Sequence, residues 1–181
     1  MSDFPISVVE PLVTIHPWSL ESMGTGIIGL GGVTLISVTS AVYPTANLAL
    51  FIPFVLTKPK TVLQLFSFTG GTKSGNIDMA IYSEDGTKLT SAANVAQGTI
   101  NVLQVFDITD IQIGPGVFYL AVVLDNTTGT LRRGILTVNI MGASLGMAEM
   151  AAAYPLPATA VFAQITGNYI PLIGLSTRLV L

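Results

Sequence analysis

The first candidates for acid–base catalysis in this 181-residue chain are its one histidine and ten carboxylates. His16 lies in IHPW, between apolar residues and before a proline. General-base catalysis needs a positioned partner, so we expect His16 to pack or to hydrogen bond. The chain has no Gly-x-Ser-x-Gly nucleophile elbow and no His-Glu-x-x-His zinc motif. The sequence therefore predicts no catalytic residues and a protein that is not an enzyme, with a depolymerase as the least favoured alternative.

Several carboxylates fall within or beside the strand-like segments of the chain: Asp78, Glu84, Asp85, Asp107, Asp110 and Asp125. A glycosidase needs two carboxylates that face each other across a cleft, which spacing alone does not show. A calcium site needs six to eight oxygen ligands. Asp107, Asp110, Asp125 and Asn126 would supply some of them, but the chain lacks a dense acidic loop. We therefore expect no cofactor, with calcium as the alternative.

Aromatic side chains on a surface can stack on sugar rings or anchor a protein partner. Tyr82 and Tyr119 lie within alternating strands, so we expect them to pack in a sheet. Trp18 follows a proline in the N-terminal segment, and Tyr43 and Tyr154 each precede one. These turn-like settings make Trp18, Tyr43 and Tyr154 the candidate contacts for a glycan or a partner.

The composition of the chain raises the question of whether the protein spans a membrane. Hydrophobic residues make up 50% of the chain, charged residues only 9%, and the mean hydropathy is +0.70. An ordinary soluble domain is about 25% charged. The longest uncharged stretch, Ser22 to Thr57, is interrupted by Gly, Ser, Thr and Pro every few residues. It lacks the roughly 20 predominantly apolar residues of a spanning helix, so we expect no membrane partner.

The small number of charges also bears on partners. The net charge is −3, and the basic residues are scattered apart from Arg132-Arg133, which argues against nucleic acid. The absence of cysteine excludes disulfides and is consistent with folding in a reducing cytoplasm. Interface cores are depleted in charge. We therefore expect much of the surface to be covered by copies of the chain, as a homo-oligomer, or by other proteins.

The alternation of apolar and polar residues predicts how these side chains are positioned. Short strands are expected in VTLISVTS, NLALFIPFVL, TVLQLFSF, NIDMAIYS, NVLQVFDI, VFYLAVVL and ILTVNI. Residues 1–32, with three prolines, are expected to form an extended apolar arm that lies on its own domain or on a neighbouring subunit. Residues 33–181 are expected to form a single domain, with one short helix near residues 146–154. The predicted fold is all-β: an antiparallel, jelly-roll-like β-sandwich.

The middle of the chain resembles a group of bacteriophage virion proteins. The resemblance rests on YPTANLALFIPFVL, SGNIDMAIYSEDGTKLTS and PGVFYLAVVLDNTTGT, and spans Tyr43 to Thr130. It includes a Gly-Asn-x-Asp-x-x-Ile-Tyr-x-x-Asp-Gly hairpin and a Pro-Gly-x-Tyr-Tyr-Leu-Ala strand, in which Phe118 replaces the first Tyr. The resemblance implies a compact jelly-roll module on a head, tail or fibre. It brings no catalytic residues.

Together these observations predict a non-enzymatic virion structural protein made in the host cytoplasm. The first interpretation is a capsid decoration or cement protein, a homotrimer that contacts other virion proteins such as the major capsid protein. The alternative is a receptor-binding module of a tail tip or fibre head that binds host surface glycan. Its site would be formed by the loops Gly70–Gly75, Glu84–Thr87 and Asp125–Thr130.

Overall fold

The computed structural model of the chain describes residues 14–15, 38–135, 142–143 and 145–177. Within these residues the regular structure is dominated by antiparallel strands, as predicted. The strands are β1 (Thr14–Ile15), β2 (Val38–Val42), β3 (Ala49–Leu56), β4 (Lys60–Phe68), β5 (Asn76–Ser83), β6 (Lys88–Ser91), β7 (Val95–Ala96), β8 (Leu103–Ile113), β9 (Gly116–Leu124), β10 (Thr130–Ile135), β11 (Ala148–Met150), β12 (Ala163–Gln164), β13 (Tyr169–Pro171) and β14 (Ile173–Ser176).

The strands form three sheets. The large sheet has the order β12-β11-β3-β9-β5-β6, with β7 also paired to β5. A four-stranded sheet has the order β1-β14-β4-β8, and a three-stranded sheet has the order β13-β10-β2. The long strands β3, β4, β5, β8 and β9 alternate between the large sheet and the four-stranded sheet. Successive long strands therefore lie on opposite sides of an antiparallel sandwich.

The main core lies between the inner face of the large sheet and the two smaller sheets. Alternate residues of β5 point into it: Ile77, Met79 and Ile81, as the alternation in NIDMAIYS predicts. They meet side chains such as Leu65 on β4 and Leu175 on β14. The sandwich architecture of the prediction is therefore confirmed.

A second core covers the outer face of the large sheet. Ala80 and Tyr82 on β5 and Val123 on β9 are fully buried there, on the side opposite the main core. Residues 151–162, here called the cover segment, connect β11 to β12 and lie over this face. Their buried members are Ala153, Leu156 and Ala160. The large sheet is thus buried on both faces in its central part.

The predicted helix near residues 146–154 is wrong. Ala148–Met150 form strand β11, which pairs with β3 on one side and β12 on the other. Ala152 follows with a positive φ of 52°, which a helix does not allow. The good helix formers of this segment suggested a helix, but pairing along β3 overrides a propensity that is worth only tenths of a kcal/mol per residue.

Pro53 shows how β3 tolerates a proline within a sheet. β9 pairs with β3 over its length, including Pro53 opposite Tyr119. On the other side β11 reaches only Ala49 to Phe51, so Pro53 lies past the end of that partner. This position suits a proline, because proline has no N–H to donate to a second neighbouring strand.

The expected N-terminal arm lies mostly outside the described residues. Thr14 and Ile15 are described, and they pair with Ser176 and Leu175 of β14 in the same chain. The part of the predicted ILTVNI strand after Ile135 also lies outside the described residues. Among the described residues, no helix has the length and apolar character needed to span a membrane.

Candidate functional site

Two of the three loops predicted to form a glycan site meet at one end of the sandwich. Gly70 N–H donates to the Thr130 carbonyl at 2.8 Å, and Thr130 N–H donates to the Thr72 carbonyl at 2.9 Å. The Asn126 amide donates to the Ser74 carbonyl at 2.9 Å. We call this surface, formed by residues 70–76, 94–97 and 125–130, the polar loop end.

The third loop lies elsewhere. Glu84–Thr87 follows the last residue of β5, whereas Gly70–Gly75 precedes its first. A strand of eight residues, at roughly 3.3 Å per residue, puts these two ends about 23 Å apart. The prediction that all three loops form one site is therefore wrong.

Gln97 joins the loops of the polar loop end, and no feature of the residues around it in the sequence singled it out. It is buried, its Oε1 accepts from Ser74 N–H at 2.8 Å, and its Nε2 donates to the Thr130 carbonyl at 2.8 Å. Its own backbone N–H donates to the Gly75 carbonyl at 2.9 Å. A buried amide with both ends satisfied fixes the relative position of the segments that it joins.

Asp125 and Gly75 fit against each other closely. Asp125 Oδ1 accepts from Asn76 N–H at 3.0 Å and from the Asn126 amide at 2.5 Å. Gly75 has a φ of +61°, and a Cβ at this position would lie 2.1 Å from Asp125 Oδ1. Glycine is therefore required here both by the backbone conformation and by the space available.

The residues considered for the calcium alternative lie on two different sheets. Asp107 is on β8 of the four-stranded sheet, whereas Asp125 follows β9 of the large sheet. No three His, Cys, Asp or Glu side chains come together in the described part of the chain in a way that would hold a metal ion. The oxygen of Asp125 that faces the loop is already hydrogen bonded within the loop.

Of the aromatic candidates, Tyr154 lies beside the polar loop end. Its ring is half-buried, and its hydroxyl donates to Asn94 Oδ1. Burial raises the pKa of Tyr154, and the carboxylates of Asp125 and Asp78 raise it further, while the Asn76 side chain acts in the opposite direction. Tyr154 and the exposed Asn94 therefore extend the polar loop end onto the outer face of the large sheet.

Tyr43 is a core residue and not a surface contact. It is 1% exposed, and its hydroxyl is hydrogen bonded to the carbonyls of Leu48 at 2.7 Å and Val122 at 2.9 Å. Its ring meets the ring of Tyr169 edge-on, with centroids 5.7 Å apart. Burial raises the pKa of Tyr43 well above its usual value, and Tyr169 adds to this shift. Trp18 and His16 lie outside the described residues.

Three exposed apolar side chains lie on segments that meet near Thr69 and Gly70, next to the polar loop end. Val42 is 60% exposed, Ile100 42% and Val102 40%. Val42 pairs with Thr130, whose carbonyl accepts from Gly70 N–H. The Val102 carbonyl accepts from Thr69 N–H, and Ile100 precedes Asn101, whose N–H donates to the Gly70 carbonyl. We call these three side chains the apolar patch.

The fold and this end of the molecule define an antiparallel β-sandwich with a polar loop surface that carries Lys73 and Asp125. No protein-family model matches the chain, and no curated protein matches it.

Proposed function

We propose that the protein is a non-enzymatic structural component of a bacteriophage virion. Its role is that of a capsid decoration or cement protein, which forms a homotrimer and also binds other virion proteins such as the major capsid protein. The proposal combines the resemblance of Tyr43 to Thr130 to virion proteins with the chemistry of the surface.

The observation that carries this proposal is the apolar patch on a chain with very few charges. Val42, Ile100 and Val102 are exposed at one end of the molecule, on a chain that is only 9% charged. Exposed apolar side chains with few charges near them are typical of protein interfaces, because charge is depleted at interface cores. One charge lies beside the patch: the Arg132 guanidinium donates to Asn101 Oδ1 at 2.9 Å, between Ile100 and Val102. An obligate interface of this kind buries about 2,000 Å² or more in total.

The test is a pair of valine-to-lysine substitutions. Val42→Lys places a charge in the apolar patch, and Val161→Lys places the same charge on the cover segment, where Val161 is 72% exposed. We expect Val42→Lys to weaken self-association or particle binding in sedimentation assays, and Val161→Lys to leave both unchanged. Equal behaviour of the two variants would contradict a role for the apolar patch.

The arm can be tested separately. If residues 1–30 lock copies together or onto a shell, a chain that lacks them loses oligomerisation or particle binding. Unchanged assembly of the truncated chain would remove the arm from the proposal and leave the apolar patch as its basis.

The second candidate function is glycan binding at the polar loop end, which is favoured by one observation. Tyr154 presents a half-buried ring beside Asn94, Asn76 and Asp125, and aromatic rings next to amides and carboxylates are suited to sugars. We would measure glycan-array binding of Tyr154→Ala against Glu84→Ala, which lies at the opposite end of β5. Loss of signal for Tyr154→Ala alone would favour this function, whereas no signal for the unmodified chain would exclude it for the glycans tested.

A further inference from the structure

A buried carboxyl group stands out in the second core. Asp78 is 2% exposed, on a face whose other buried members are alanines, Phe51, Tyr82, Val123 and Leu156. Its Oδ2 accepts from Leu156 N–H of the cover segment at 3.0 Å. Its Oδ1 has no hydrogen-bond partner in the described part of the structure. Burying an ionised carboxylate with one oxygen unpaired is unfavourable.

The charged and titratable groups around Asp78 determine how readily its carboxyl loses the proton. Lys88 on β6 attracts the carboxylate, but its ammonium donates to the Leu156 carbonyl at 2.7 Å. Among the described residues, Tyr82 on β5 and Tyr154 on the cover segment also interact electrostatically with this carboxylate. Burial is the largest influence, and it raises the pKa of Asp78 above its usual value. The Leu156 amide, the Lys88 ammonium and the Met79 amide act in the opposite direction.

The same carboxyl lies where the cover segment is attached to the sheet. The Tyr82 hydroxyl donates to the Pro157 carbonyl at 2.6 Å. Lys88 N–H donates to the Ala158 carbonyl at 2.9 Å, and Ala160 N–H donates to the Gly86 carbonyl at 2.8 Å. Three consecutive residues of the cover segment are therefore held by Asp78, Tyr82 and Lys88. Opening the segment at this point would expose the Asp78 carboxyl to water.

We propose that Asp78 makes the cover segment a proton-dependent latch, held more tightly to the outer face when this carboxyl is protonated. Opening exposes the aromatic side chains beneath the segment, Phe51, Tyr82 and Tyr119. The main core is not involved in this opening, because it lies on the other face of the same strands.

The sign of the effect follows from linkage. In the closed state the pKa of Asp78 is raised, and in the open state the hydrated carboxyl returns to its usual pKa near 3.8. The closed state then binds the proton more tightly. Its added stability is fully present below the usual pKa and is lost as the pH rises through the raised pKa. At neutral pH the latch is therefore weaker than at about pH 4.

Hydrogen exchange on the full chain between pH 4 and pH 8, corrected for the intrinsic rate at each pH, tests this proposal. The reporters are the amides of Leu156 and Ala160, which are hydrogen bonded across the latch. We expect their protection to fall as the pH rises, by about tenfold for each unit between the closed-state and open-state pKa. Amides that pair β4 with β8 should keep a constant protection.

Two variants separate the latch from a general effect of pH. Asp78→Asn keeps the acceptor for Leu156 N–H but does not titrate, so the fall in protection should disappear. Asp85→Asn removes an exposed carboxyl in the neighbouring hairpin and should retain the fall. Constant protection of the cover amides in the unmodified chain, or an equal fall in Asp78→Asn, would overturn the proposal.

A measurement on the unmodified chain covers the case in which Asp78→Asn does not fold. The carbon chemical shift of the Asp78 carboxyl, followed by NMR against pH, should have a midpoint above the usual pKa. This midpoint should coincide with the pH at which protection of the cover amides changes. A midpoint at or below the usual value would contradict the latch.

Discussion

The two faces of the large sheet bury the same strands in different ways. The inner face presents Leu50, Ile52 and Phe54 from β3 to two further sheets. The outer face presents Ala49 and Phe51 from the same strand to a single irregular segment. Proteins open locally where few elements hold a region closed. The inner face therefore determines global stability, and the outer face is expected to open on its own.

The largest expected effect is the loss of folding free energy when one of two phenylalanines on β3 is replaced by alanine. Phe54 is 2% exposed and packs against Phe118 in the main core, whereas Phe51 is fully buried between Tyr82 and Phe162. A buried Phe→Ala change costs about 3–5 kcal/mol, and less where the surroundings can collapse into the cavity. We expect Phe54→Ala to lower the free energy of unfolding, measured in urea, by this full amount.

Phe51→Ala is the matched variant. Its global cost should be smaller, because the cover segment can move into the space, and exchange of the cover amides should increase instead. Equal losses of global stability in the two variants would mean that the two faces form one cooperative core.

The next effect concerns the attachment of the cover segment to the β5–β6 hairpin. Gly86 has a φ of +86°, and a Cβ there would lie 2.3 Å from the Ala160 carbonyl oxygen. Gly86→Ala is expected to cost about 1–3 kcal/mol through strain and to increase exchange at Ala160. Gly167→Ala, where a Cβ meets nothing within 4 Å, is the control and should unfold like the unmodified chain.

A smaller loss of stability is expected when either of two tyrosine hydroxyls is removed. Tyr43→Phe removes the hydroxyl that is hydrogen bonded to Leu48 and Val122 in the main core, and Tyr82→Phe removes one bond to Pro157 of the cover segment. A hydrogen bond contributes about 0.5–1.5 kcal/mol, and an acceptor left buried without a partner costs more. We expect the larger loss in thermal unfolding for Tyr43→Phe. A larger loss of stability for Tyr82→Phe would mean that the outer face contributes more to global stability than the inner face.

The smallest effect is the pH response of the hairpin next to the latch. Hydrogen bonds from Ser83 and Thr87 lower the pKa of Asp85. Asp85 therefore contributes stability above its usual pKa, and this contribution is lost as the pH falls, opposite in sign to Asp78. In Asp85→Asn the acid-side loss of stability should be reduced. An unchanged pH profile would show that these hydrogen bonds contribute nothing measurable.

The sequence predicted the inner face well because that face obeys a local rule. Alternation in NIDMAIYS identified Ile77, Met79 and Ile81 as one buried face, and Tyr82 and Tyr119 were correctly predicted to pack in the sheet. The second strand of the hairpin predicted after Asp85-Gly86 is β6, which pairs with β5. The strand β7 was not predicted, because a segment of two residues carries too little pattern to recognise.

The outer face could not be predicted because its partners are remote in the sequence. Asp78 and Leu156 are 78 positions apart, and the cover segment has no period that marks it as a partner of β5. Tyr43 failed as a surface candidate for the same reason, since its acceptor at Val122 is 79 positions away. Gln97 gave no signal, because an amide becomes structural only when distant loops meet around it.

The two buried faces also bear on the proposed function. Together they hold much of the apolar content of the described chain, and the apolar patch remains exposed outside them. We therefore propose that the apolar patch is covered by other copies of the chain. It is independent of the latch, which concerns the outer face.

Light scattering of the purified full-length chain over a dilution series tests this claim most directly. A homotrimer would have a mass of three times 18.9 kDa, and we expect this mass to persist on dilution. A stable monomer at all concentrations would contradict it, and glycan binding at the polar loop end would then become the favoured function.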